Sequence, residues 1–133
     1  MRAISVLLVE DNPADRMLAE ELVRSTNPRA RITTAKDGEE AVNIVERWTN
    51  TTVPDLVLLD LNLPKKNGHE ILEHIRAKSA DVMVIIFTGS TSEKDRNRAN
   101  QLKATEYMVK PMGIDEIDQT VARMKELLAS LDT

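Results

Sequence analysis

The segment Pro54-Asp55-Leu56-Val57-Leu58-Leu59-Asp60-Leu61-Asn62-Leu63-Pro64 constrains this chain more than any other. Its run from Asp55 to Leu59 is continuously apolar after the first residue, where a half-exposed strand would alternate. That pattern predicts a strand buried on both faces, as in the centre of a parallel sheet. The run closes on Asp60, then on a turn and a proline. Aspartate is a poor strand residue, and its charge is costly among leucines. It is tolerated at the carboxyl edge of a parallel sheet, where α/β proteins place their sites.

The remaining segments fit the same plan. Ile4 to Val9 is a short β-branched run ending in Glu10-Asp11. Asn12-Pro13 then reads as a helix cap with proline in the first turn, followed by an apolar face of Ala14, Met17, Leu18 and Leu22. That helix should end near Asn27-Pro28. Arg31 to Ala35 is a second, edge-side strand. Asp37-Gly38-Glu39-Glu40 starts another helix, whose face is Ala41, Ile44, Val45 and Trp48. Lys65-Lys66-Asn67-Gly68 is a solvated turn beside Asp60, and Gly68, Ile71, Leu72 and Ile75 form the next helix face. Val82 to Phe87 is a buried strand closed by Thr88-Gly89-Ser90. Ser92 to Leu102 should be a helix, but its interior is almost wholly polar. Only Ala99 and Leu102 offer core contacts, so it should be loosely held, partly disordered or completed by a partner. Glu106 to Val109 is a fifth strand ending in Lys110-Pro111. Ile114, Ile117, Val121, Met124, Leu127, Leu128 and Leu131 mark a long closing helix. Five strands alternating with five helices imply one α/β unit over residues 1–133: a single doubly wound parallel sheet with no output domain.

Composition removes several classes of function. The chain has 133 residues and a net charge of -4, which offers no electrostatic case for nucleic acid. It lacks cysteine, so it has neither disulfides nor a thiolate metal site, which fits the cytoplasm. No apolar run is long enough for a membrane span or a signal peptide. The Asn50-Thr51-Thr52 triplet therefore carries no expectation of glycosylation. With Phe, Tyr and Trp present once each, the core must be aliphatic.

In a parallel sheet, Glu10-Asp11, Asp60, Thr88 and Lys110 all fall at one edge. Carboxylate pairs about 4 Å apart repel by roughly 4 kcal/mol at an effective dielectric near 20. A divalent cation relieves this. Carboxylates, a backbone carbonyl and waters describe a Mg²⁺ site with positions left for a phosphoryl oxygen. A hydroxyl from Thr88 and an ammonium from Lys110 supply further neutralisation of a transferred phosphoryl group.

The motifs Val9-Glu10-Asp11-Asn12-Pro13, Leu58-Leu59-Asp60-Leu61-Asn62-Leu63-Pro64, Gly68, Thr88 and Lys110-Pro111, in this order over nearly the whole chain, resemble the receiver domain of two-component response regulators. Leu61 to Gly68 is most similar to the single-domain, phytochrome-associated members. The resemblance implies a flavodoxin-like sheet of strand order 2-1-3-4-5, with Asp60 as phospho-acceptor from a sensor histidine kinase. It implies that Asp11, Asp60 and the Asn62 backbone carbonyl bind Mg²⁺, with Glu10 acting through water. Thr88 and Lys110 would bind the phosphoryl oxygens, the Lys110-Pro111 peptide would be cis, and Tyr107 would move with Thr88 as the switch. The signal would leave through a downstream target, a phosphorelay histidine protein or a homodimer.

Two positions depart from the family pattern. Gly89 follows the threonine where alanine is common, which should open the site and alter phosphoryl hydrolysis. Lys103 stands at a helix end where glycine is usual, and lysine suits a left-handed cap poorly. His69 and His74 read as solvent-facing and away from any carboxylate cluster, and Trp48 as core. Two rival functions are a phosphorylation-independent pseudo-receiver and a small Mg²⁺-dependent aspartyl-phosphate phosphatase. Against the phosphatase stand Asn62, where a second aspartate would be needed, and the absence of a cap domain. The complete acidic, hydroxyl and lysine set argues against the pseudo-receiver. Nucleotide binding lacks a Gly-rich phosphate loop after the first strand.

Overall fold

A computed structural model describes residues 2–131. Strands and helices alternate without exception: β1 (Ser5–Val9), α1 (Pro13–Thr26), β2 (Arg31–Ala35), α2 (Gly38–Glu46), β3 (Leu56–Leu59), α3 (Gly68–Lys78), β4 (Met83–Thr88), α4 (Glu93–Gln101), β5 (Glu106–Val109) and α5 (Ile114–Ala129). The five strands are all parallel, in the order β2-β1-β3-β4-β5. Chain direction across the sheet reverses between β1 and β3, which is where such folds open a crevice.

Strand alternation sorts the core into two layers. Leu7, Val9, Val57, Leu59, Val84 and Ile86 pack with α2 and α3 through Ala41, Val45, Ile71, Leu72 and Ile75. Val6, Leu8, Leu56, Leu58, Ile85 and Phe87 pack on the other face with α1 and α5, through Ala19, Leu22, Val23, Met124 and Leu128. The central strand β3 is buried at every residue, as its unbroken apolar run requires. Asp55 lies just before it and pairs with Arg2 at 2.7 Å.

Helix starts follow local chemistry. Asn12, Asp37, Asn67 and Ser92 each accept a hydrogen bond from the backbone N–H three residues on, at 3.0, 2.8, 3.1 and 3.2 Å. Pro13 occupies the first turn of α1. Helix α4 is continuous despite its polarity, with Ala99 its single buried residue. Its C-terminus closes as a Schellman motif: Ala104 N–H donates to the Ala99 carbonyl and Lys103 N–H to that of Asn100, both at 3.0 Å. Lys103 takes the left-handed conformation there, with φ 69°.

Several expectations need correction. No peptide among the described residues is cis, so Lys110-Pro111 is trans, the form an X-Pro bond intrinsically favours. His69 and His74 are half-buried rather than solvent-facing, each beside one carboxylate: His69 Nε2 lies 3.4 Å from Asp95 of α4, and His74 Nδ1 3.0 Å from Glu46 of α2. Helix packing brings in these partners from 26 and 28 residues away, beyond the reach of a single-helix pattern. Ile114 is 79% exposed because it opens α5 ahead of the residues that pack on the sheet. Trp48 lies past the end of α2 and packs half-buried against the core.

Candidate functional site

Strand register builds the site. Val9 pairs with Leu59, and the next residues, Glu10 and Asp60, continue the ladder: Asp60 N–H donates to the Val9 carbonyl at 3.1 Å, and Glu10 N–H to that of Ala35 at 3.0 Å. Two carboxylates from residues 50 positions apart thus emerge side by side. Asp11 completes the group. Ligand oxygens of Glu10, Asp11 and Asp60 all lie within 4.8 Å of one another. Glu10 and Asp60 are buried, and Asp11 is exposed. The donor set is all hard oxygen, with one member open to solvent, which suits Mg²⁺ or a similar cation that keeps part of its hydration.

Lys110 leaves the end of β5, whose ladder extends by one bond from Lys110 N–H to the Thr88 carbonyl at 2.8 Å. Its ammonium meets Glu10 Oε1 at 2.7 Å, Asp15 Oδ2 at 2.9 Å and Asp60 Oδ2 at 3.1 Å. Burial pulls the lysine's pKa down. The hydrogen bonds the lysine donates to Glu10 and Asp15 and the charge of Asp60 outweigh burial, and the group is held above its ordinary range. Burial pushes Glu10 up to about 7; the Lys110 hydrogen bond opposes this and the Asp60 charge reinforces it. A cation bound among these oxygens favours their ionised forms.

Asp60 is held from two sides, Oδ2 by Lys110 and Oδ1 by the Asn62 N–H at 3.3 Å. Gly68 lets this loop close: its N–H donates to the Leu61 carbonyl at 2.9 Å. A Cβ there would collide with the Asp60 carbonyl oxygen and lie 2.7 Å from Leu61 Cα. Thr88 is fully buried at the end of β4, its hydroxyl accepting from Ser90 N–H at 3.4 Å. Ser90 joins Thr88 to two other elements. Its hydroxyl donates to Asp95 Oδ2 at 2.7 Å, and its carbonyl accepts the Tyr107 hydroxyl at 3.0 Å. The half-buried Tyr107 ring carries the Arg96 guanidinium 4.5 Å from its centroid. At Gly89 an added Cβ would meet nothing within 4 Å, so an alanine would fit there without moving a neighbour.

Glu10, Asp11, Asp60, Asn62, Thr88 and Lys110 therefore gather at one sheet edge, with Tyr107 one residue-long bridge away through Ser90. Sequence reasoning missed Asp15 and Arg16. Arg16 Nη1 donates to the Glu10 and Asp11 carbonyls at 3.2 and 2.9 Å and braces the acidic turn. Both residues follow the cap of α1, where an acidic and a basic residue look like ordinary first-turn surface. No local signal marks them.

An α/β protein that collects hard oxygens and an ammonium beside the switch point of its sheet is equipped to hold a cation next to a phosphoryl group. Comparison with known proteins narrows that class. Residues 6–122 match the response regulator receiver domain, and the chain belongs to this family of two-component signalling switches. Aspartyl phosphorylation and Mg²⁺ binding are general in it. The chain is 34% identical to the probable methanogenesis regulatory protein FilR2 of Methanothrix harundinacea, over 91% of this chain and 81% of that protein. It is 31% identical to the response regulator Rcp1 of Synechocystis, over 87% and 82% of the two chains. The crystal structure of the phosphorylated cyanobacterial phytochrome response regulator RcpA superposes with a TM-score of 0.79 at 30% identity, covering 96% of this chain and 92% of that one. Among the described residues no helix is long and apolar enough to cross a membrane.

Proposed function

We propose that Asp60 is the phospho-acceptor and that a sensor histidine kinase is the donor. The observation that carries this reading is the buried Asp60 carboxylate, with Lys110 Nζ at 3.1 Å and oxygens of Glu10 and Asp11 within 4.8 Å. Asp11, Asp60 and the Asn62 carbonyl would hold Mg²⁺, with Glu10 reaching it through water; the Mn²⁺-bound form of the relative Rcp1 supports a divalent site. When bound, the cation neutralises charge on the phosphoryl oxygens.

In the transfer, an Asp60 oxygen attacks phosphorus as the bond to the donor's imidazole nitrogen breaks. The nitrogen keeps the electron pair. Lys110 and the Thr88 hydroxyl then bind phosphoryl oxygens. Water later cleaves the acyl phosphate, so the domain catalyses its own dephosphorylation, and open Gly89 sets how easily water enters. Turning the Thr88 hydroxyl toward the phosphoryl group releases Ser90 N–H, and with it the Tyr107 and Asp95 contacts that Ser90 holds. The α4–β5 surface repacks and changes its affinity for a downstream protein, a phosphorelay histidine protein or a second copy of the chain.

Intact mass after incubation with acetyl phosphate, with and without Mg²⁺, tests this on wild type and Asp60→Asn. A Mg²⁺-dependent gain of one phosphoryl group, absent in Asp60→Asn, is expected. No gain under any condition would make the protein a phosphorylation-independent binding module.

A further inference from the structure

The geometry points to Asp15 as a positioning residue that restrains phosphoryl acceptance by holding Lys110 in the unphosphorylated state. This rests on the reading of Asp60 as acceptor and Lys110 as phosphoryl ligand.

An ammonium has three protons, and Lys110 has three carboxylate partners: Glu10 at 2.7 Å, Asp15 at 2.9 Å and Asp60 at 3.1 Å. Its donors are used up. To bind a phosphoryl oxygen, Lys110 must give up one partner. Glu10 and Asp60 are 2% and 5% exposed, so before transfer either would be left with a poorly solvated charge. The Asp15 side chain is 38% exposed, and water can replace the ammonium there. Asp15 is therefore the partner released. Until then it competes with the incoming phosphoryl group for Lys110, and its negative charge faces the same approach. Asp15 sits in the first turn of α1, its N–H held by the Asn12 cap at 3.0 Å, so its place is set by the helix and not by a mobile loop. The sequence of steps is release of Asp15, transfer of the phosphoryl group to Asp60, and rebinding of Lys110 to a phosphoryl oxygen.

The test is the rate of phosphoryl gain from acetyl phosphate at saturating Mg²⁺, by intact mass, in wild type, Asp15→Ala, Lys110→Ala and the double variant. Glu21→Gln, on the same helix, controls for loss of one surface carboxylate. Asp15→Ala is expected to speed phosphorylation about three- to tenfold, the size of one partly screened charge-assisted bond. Glu21→Gln should not. The acceleration must vanish in the Lys110→Ala background, because Asp15 acts through that ammonium. If transfer in Lys110→Ala is too slow to time, the same four chains are compared by the thermal shift that beryllofluoride, a phosphoryl mimic, produces with Mg²⁺. An unchanged or slower rate in Asp15→Ala, with only a loss of stability, would reduce Asp15 to a helix-start charge and overturn the proposal. So would an acceleration that persists without Lys110. A wild type that gains no phosphoryl group removes the underlying assignment as well, which the Asp60→Asn comparison distinguishes.

Discussion

Gly68 shows how a residue without a side chain controls one with chemistry. It packs against the backbone that carries Asp60 to Asn62, leaving no space for a methyl group. Gly68→Ala should therefore destabilise the fold by about 1–3 kcal/mol, the usual cost of overpacking, measured by urea unfolding. It should also slow phosphorylation, because the Asp60–Asn62 turn must yield. Gly89→Ala, where a Cβ meets nothing, should leave stability within about 1 kcal/mol of wild type. The proposed acceptor, metal and anion ligands were legible as residues because each follows a strand with an apolar run. Asp15 was not. Its role comes from a lysine 95 positions away, and its own surroundings in sequence suggest only a capped helix.

At the level of elements, α4 is the least anchored. Its interior buries Ala99 alone, and its C-cap places Lys103 in the left-handed region at φ 69°. A β-carbon in that region costs about 1–2 kcal/mol relative to glycine. Lys103→Gly should accordingly raise stability by about 1 kcal/mol, read as a higher melting temperature. Hydrogen exchange should be faster across residues 93–101 than across α3, which buries Gly68, Ile71, Leu72 and Ile75. Uniformly strong protection of α4 would contradict this. The polar pattern of α4 was plain in the sequence, whereas its continuity was not, since that comes from Ser92 at one end and the Schellman closure at the other. The histidine pairings of α3 were also hidden, because they depend on how helices lie beside each other.

For the whole molecule, charge divides between the two ends of the sheet. At the amino end, Arg2 grips Asp55 with two bonds of 2.7 and 3.1 Å, and Ser5 N–H adds a third at 2.8 Å. The Arg2 hydrogen bond, with help from Ser5, holds the Asp55 carboxyl below its ordinary value. Such a group contributes stability above its unfolded pKa of about 4 and loses it as pH falls through the lower folded value. Asp55→Asn should cost about 1 kcal/mol at pH 7, and the gap to wild type should close at acid pH in a denaturation series. At the carboxyl end, oxygens of Glu10, Asp11 and Asp60 lie within 4.8 Å of one another, a crowding that a bound divalent cation would relieve. Mg²⁺ at about 100 times its Kd should stabilise the fold by about 2.7 kcal/mol. Asp11→Asn should abolish most of that gain while leaving the metal-free protein at least as stable, by thermal melts with and without the ion.

The sequence by itself determined the element order, the parallel doubly wound sheet and the set of residues at its carboxyl edge. Those follow from apolar runs, caps and the alternation of two periods, all of which are local properties. Tertiary structure decided what the edge residues touch. The threefold grip on Lys110 and the Tyr107 bond to Ser90, which ties Thr88 and Asp95 to β5, depend on side chains from elements far apart in the chain. Distances between such groups are set by strand register and helix packing, and no local pattern encodes them.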